Sequence, residues 1–154
     1  MMARFLRLLV VLLASGIVLL SCSTDDTYLP ALLEDPMADY EADSIELKTR
    51  DTQGYGKGPF WGKYHPPQVI SEYQILDQSQ TEVIRAEAVA EAESYGWEME
   101  PGVGQTTMVG YKDTNAGPMR LLVAVGSDDP LHPDGAPLVL RISLDFTALP
   151  LLEP

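Results

Sequence analysis

The side chains able to do chemistry are few. The chain has one cysteine, Cys22, and two histidines, His65 and His132. His132 lies in Asp128-Asp129-Pro130-Leu131-His132-Pro133-Asp134, which puts carboxylates and an imidazole in one loop. Carboxylates suit a hard cation such as Ca²⁺, and an imidazole suits a softer one such as Zn²⁺. Asp128, Asp129, His132 and Asp134 are therefore the candidate metal ligands. No glutamate closes the run as in an EF-hand loop, and its prolines limit convergence, so a solvated acidic loop is the plainer reading. His65 stands before Pro66 and Pro67 in an irregular stretch. Ser71, Ser94, Ser127 and Ser143 lack the strand–turn–helix elbow of a nucleophile, and no zinc spacing occurs. No catalytic set assembles, so the expectation is a protein without catalysis and without a cofactor.

A second group could bind rather than react. Gly54-Tyr55-Gly56-Lys57-Gly58-Pro59-Phe60-Trp61-Gly62 alternates glycine with larger residues. It is no phosphate loop, because such a loop opens a helix and here prolines follow. Tyr55, Phe60, Trp61 and Tyr64 could stack on a sugar ring or anchor a partner. The plainer alternative folds Phe60 and Trp61 back over the core.

Cys22 closes a different pattern. Arg4 and Arg7 precede a mostly apolar run from Leu8 to Leu20. At 13 residues, that run is short of the roughly 20 a spanning helix needs. A basic start, a short apolar run and the small Ser21 are the signature of a cleaved secretory signal. Leu19-Leu20-Ser21-Cys22 resembles the lipobox of bacterial lipoproteins, with Leu20 standing where a small residue is usual. The resemblance covers the first 22 residues. It implies a thioether from the Cys22 sulfur to diacylglycerol, cleavage before Cys22, further acylation of the new amine and an extracytoplasmic home. Ser23 rather than aspartate follows the cysteine, which by the same resemblance leaves the outer membrane open in a two-membrane cell. A single thiol has no disulfide partner in an exported domain, so its placement here carries weight.

Composition narrows the partners. The chain carries 10 basic and 23 acidic residues, and losing Arg4 and Arg7 with the signal leaves 8 against 23, a net of about −15. Nucleic acid is excluded, since no basic patch could displace its counterions. The lipid bilayer is reached through acyl chains on Cys22, while the acidic body is repelled from an anionic surface. An envelope protein is the expected partner.

The elements follow. Residues 1–21 read as signal and 22–58 as a lipid-anchored, disordered acidic linker, interrupted by prolines and without sustained apolar period. Within it, Leu29, Leu32, Leu33 and Met37 offer at most a short helical patch or docking motif. Residues 59–146 read as a small domain. The alternation over Val69–Leu76 predicts a strand at an edge. Ser79-Gln80-Thr81-Glu82 predicts a capping box, with Ile84, Ala88, Val89, Ala92 and Tyr95 on one stripe of the helix that follows. Gly96 ends that helix, with Trp97 packing back on Ala92. Strands are predicted at 97–100, 106–112, 119–125 and from Pro137 or Leu138 to Phe146, with loops at 113–118 and 126–135 and a tail at 147–154. The expected fold class is α+β: one helix on a mainly antiparallel sheet of four or five strands.

Overall fold

The structure, a computed structural model, describes residues 28–54, 56–57, 64–104, 106–129 and 135–147. Its fold is α+β, with a six-stranded antiparallel sheet rather than four or five strands and two helices rather than one. Helix α1 spans Tyr28–Glu34 and a 3-10 turn spans Pro36–Asp39. Strand β1 is Ile45–Gln53, and the short pair β2 and β3 is Gly56–Lys57 and Tyr64–His65. Strand β4 is Gln68–Ile75 and the long helix α2 is Thr81–Ser94. Strands β5, β6, β7 and β8 are Glu98–Pro101, Thr107–Thr114, Gly117–Ser127 and Leu138–Phe146. The main sheet runs in the order β1-β4-β8-β7-β6-β5.

Alternation in β4, β7 and β8 builds the core face. Val69, Leu144 and Leu121 line up in one cross-strand row, and Ser71, Ile142 and Val123 in the next. Tyr73, Leu140 and Val125 make a third. All nine are buried. Ile84, Ala88 and Ala92 of α2 are buried with them. Burying one aliphatic side chain of this size stabilises by about 1.5–3 kcal/mol, so these rows anchor the fold. The other face carries the alternate residues. There Glu72 pairs with Arg141 directly across the ladder, and Arg120 pairs with Asp145 at 2.6 Å.

The largest departure from the sequence reading concerns the segment taken as linker. Residues 28–53 belong to the domain. Leu32, Met37, Ala38 and Tyr40 are buried in the core, and β1 adds the outermost strand. The domain therefore starts at least as early as Tyr28, not at residue 59. β1 escapes hydrophobic periodicity because only Ile45 of its nine residues is buried. It also displaces β4 from the expected edge into the interior of the sheet.

Other boundaries move less. Asp77 caps the chain entry to α2, accepting from the Ser79 backbone N–H at 2.9 Å and from the Ser79 hydroxyl at 2.7 Å. The Ser79 hydroxyl is thus a donor to Asp77 and the expected capping box does not form. Glu82 turns instead to Arg85, at 2.5 Å. Tyr95, expected on the buried stripe, is exposed and donates its hydroxyl to Glu91 at 2.8 Å. The helix exit is as expected. Gly96 has φ +85°, its N–H donates to Glu93 O at 3.0 Å, and Trp97 N–H donates to Ala92 O at 3.1 Å. That pair of bonds is the Schellman closure, and it turns Trp97 into the core. Strands β6 and β7 run into the expected 113–118 loop, leaving only Asn115 and Ala116 between them. β7 continues to Ser127, past the expected loop start at Gly126.

Candidate functional site

Cys22 and the rest of residues 1–27 lie outside the described residues, so the anchor is not described structurally. So do Tyr55, Phe60, Trp61, His132 and Asp134; for Tyr64 the backbone alone is described. What the structure adds is their setting. In β1 and β4, Thr52 faces Val69 and Gln53 faces Gln68. In β2 and β3, Gly56 faces His65 and Lys57 faces Tyr64. Each pair sums to the same register, so β2–β3 continues the β1–β4 ladder as one hairpin arm. The break falls at Pro66 and Pro67, which have no N–H to give to a ladder. The arm leaves from the end of the sheet where Gln68 faces Asp145, beside Phe146. Tyr28 packs edge-on against that Phe146 ring, 5.2 Å between centroids. Tyr28 therefore sits at the same end from which the arm departs.

The acidic loop begins at the opposite end. Asp128 forms an ion pair with Lys48, and Ser127 Oγ donates to Asp129 O at 2.9 Å. One of the four candidate ligands is thus already neutralised by a lysine. Among the described residues, no three His, Cys, Asp or Glu side chains converge on a common point suited to a metal ion.

Two polar clusters flank the 3-10 turn, and neither was named from sequence. The first centres on Asp35, whose side chain is 4 % exposed. It accepts from Met37 N–H at 3.0 Å, from Trp97 Nε1 at 3.3 Å and from Lys112 Nζ at 2.8 Å. Lys112 also sits 5.4 Å from the centre of the Trp97 ring, a cation–π contact. Each strong donor finds the carboxylate, and the cluster bolts the N-terminal strap, residues 28–43, to Trp97 just before β5 and to Lys112 of β6.

The second cluster lies where the strap meets β1. Arg50 faces Ser71 in the ladder, on the core side of the edge strand. It donates to Ala38 O at 2.7 Å and to Ser71 Oγ at 3.3 Å, and pairs with Asp39 at 2.5 Å. Burial works against the Arg50 charge, but the Asp39 carboxylate more than offsets it and raises its pKa. Tyr73 beside it is 3 % exposed, and its ring meets Tyr40 edge-on at 6.2 Å. The Tyr73 hydroxyl lies near the guanidinium, yet makes no well-formed hydrogen bond among the described residues. The Tyr40 hydroxyl has its pKa pushed up to about 12, by burial first and then by Glu87, Glu91 and Tyr73.

These residues wall a cleft of about 770 Å³, open to solvent between the 39–43 segment and β1. Tyr40, Arg50 and Tyr73 line its inner part, while Glu41, Asp43 and Glu46 contribute carboxylates. Tyr40 and Glu41 also border a shallower hollow reaching Glu87 and Glu91 on α2. Glu41, Asp43, Glu46 and Glu87 form no ion pair among the described residues. By contrast, every lysine and arginine whose side chain is described is ion-paired, namely Lys48, Arg50, Arg85, Lys112, Arg120 and Arg141. Part of the surplus negative charge thus borders this cleft and its hollow, at Glu41, Asp43, Glu46, Glu87 and Glu91, while Glu93, Glu98 and Glu100 carry more of it elsewhere. The sequence shows the acids of 39–46 but not the tyrosines and arginine that turn them into a wall, because these meet only through the β1–β4 pairing. Comparison of the chain with protein-family models, with curated proteins and with solved structures finds no match.

Proposed function

We propose that the protein is an envelope lipoprotein, held to a membrane by acyl chains on Cys22, whose domain works as a protein-interaction module without intrinsic catalysis. The observation that carries this reading is the docking of the strap. Tyr28 is the first described residue and is already packed on Phe146, and the core takes in Leu32, Met37 and Tyr40 soon after. An anchor at Cys22 is therefore coupled to the fold by five intervening residues, not by a linker reaching residue 58. Such coupling suits a domain whose task depends on where it is held. Its envelope address rests on the lipobox resemblance alone.

The test is crosslinking of the full-length protein in intact cells at native level, with recovery through a C-terminal tag. Cys22→Ala serves as the unanchored control. A reproducible partner that is lost in the control is the expected outcome. A membrane-bound protein that captures nothing reproducible would sink the reading.

A second reading is favoured by the hairpin arm. The β2–β3 ladder pairs Gly56 with His65 and Lys57 with Tyr64 within the aromatic stretch, and a glycan or small-ligand contact by Tyr55, Phe60, Trp61 and Tyr64 is the reading it favours. A glycan that shifts Trp61 emission supports it, provided that Trp61→Phe abolishes the change. Emission indifferent to envelope glycans removes it.

A further inference from the structure

We propose that the cleft between the 39–43 segment and β1 binds an extended, basic peptide segment of a partner protein. This rests on the interaction-module reading and names the chemistry of its partner. Three independent observations converge. The first is charge: Glu41, Asp43, Glu46 and Glu87 surround the cleft and its adjoining hollow, and none has a cationic partner among the described residues. The second is an unmet polar group. The Tyr73 hydroxyl is buried in the cleft wall with no hydrogen-bond partner among the described residues. A buried hydroxyl left unpaired is costly, and its neighbour Arg50 offers only donors. The Tyr73 O–H therefore lacks an acceptor, and a peptide carbonyl is one. The third is the open edge. Among the described residues β1 is the last strand of the sheet and pairs with β4 alone, which leaves its outer backbone groups to an added strand.

Together these specify more than an acidic surface. A metal ion is a poor fit, because no three carboxylates converge among the described residues. Lysine or arginine side chains fit better, with their charge among Glu41, Asp43 and Glu46 and their methylenes against Tyr40 and Leu47.

The test uses the full-length protein in a neutral detergent and a fluorescein-labelled extended peptide of alternating lysine and threonine, read by anisotropy. The lysine peptide is expected to bind and its glutamate–threonine counterpart to fail. Combined Glu41→Gln, Asp43→Asn and Glu46→Gln should weaken binding about tenfold. Tyr73→Phe should weaken it about fivefold, the loss of one hydrogen bond. The matched change Glu93→Gln, Glu98→Gln and Glu100→Gln, the last two on the opposite edge strand β5, should leave binding intact. Bound peptide should slow amide exchange in Ile45–Gln53.

Unchanged affinity in the cleft triple or in Tyr73→Phe overturns the proposal. So does an equal loss in the β5-side triple, which would mean attraction by net charge alone. Binding of spermidine with no binding of the peptide also overturns it, and assigns the cleft to a free amine. A crosslinked partner in cells together with a peptide that does not bind leaves the module reading standing and removes only the basic-peptide class.

Discussion

The two clusters beside the 3-10 turn are made of similar parts and reach opposite states. At Asp35, one carboxylate meets a backbone N–H, an indole N–H and an ammonium, and all three are satisfied. At Tyr73, a buried hydroxyl sits beside a guanidinium already committed to Ala38, Asp39 and Ser71, and it is left over. The difference is one of position in the sheet. The Asp35 cluster is closed over by Trp97, just before β5, and by Lys112 of β6, whereas the Tyr73 cluster borders a strand that is at the edge of the sheet among the described residues. Completed polar networks hold a fold in one arrangement, and incomplete ones mark where something else can enter.

The comparison breaks most decisively at Asp35. Asp35→Ala leaves Lys112 and the Trp97 indole without their carboxylate, and should cost about 3 kcal/mol. Urea unfolding of the two proteins checks it, and a loss under about 1 kcal/mol would show that the cluster is not a lock. Trp97→Phe removes one donor and the cation–π contact while keeping most of the ring. It should cost about 1.5 kcal/mol by the same measurement. Gly96→Ala should cost about 1 kcal/mol, because φ of +85° is strained for any residue with a Cβ.

On the other side, Tyr73→Phe deletes a hydroxyl that makes no well-formed hydrogen bond among the described residues. It should leave stability within about 0.5 kcal/mol of the parent, or raise it. A loss as large as that of Trp97→Phe would erase the contrast between the clusters.

The smallest effect concerns Asp77, where no such closure exists. Its carboxyl is held below the ordinary 3.8, first by the Ser79 hydroxyl, then by the Ser79 backbone N–H and Gln80. A carboxyl depressed in the folded state contributes its stability above the unfolded pKa and loses it as pH falls through the folded value. Asp77→Asn should therefore lower the melting temperature slightly at neutral pH. The two proteins should converge as acid is added below pH 3.8, which thermal melts across that range would register.

How much was legible in the sequence follows from the same physics. The strands that fill the core were readable, since Leu140, Ile142, Leu144 and Phe146 alternate with polar neighbours. The exit of α2 was readable because Gly96 and Trp97 stand where a left-handed closure requires them. The strap and β1 were not. Their buried residues are few and unevenly spaced, and the acids between them have the composition of a solvated tether. An edge strand with one buried side chain in nine leaves no period to find. The capping box misled because Asp77, two residues upstream of Ser79, outcompetes the hydroxyl as an acceptor. Of the cleft, only its acids were visible. Arg50, Tyr40 and Tyr73 come together through strand pairing, which no local pattern encodes.

The early start of α1 has a consequence for encounter. Five residues, 23–27, separate Cys22 from Tyr28, and fully extended they span at most about 18 Å. With an acyl anchor on Cys22, as proposed, a domain held so close would search for its partner in two dimensions. A membrane-confined partner would then be present at an effective concentration of order millimolar, with no gain in intrinsic affinity. Basic segments that lie along an anionic bilayer would also be the ones drawn to the acidic cleft. Domain and lipid would thus compete for the same peptide, and ionic strength would weaken both attractions together.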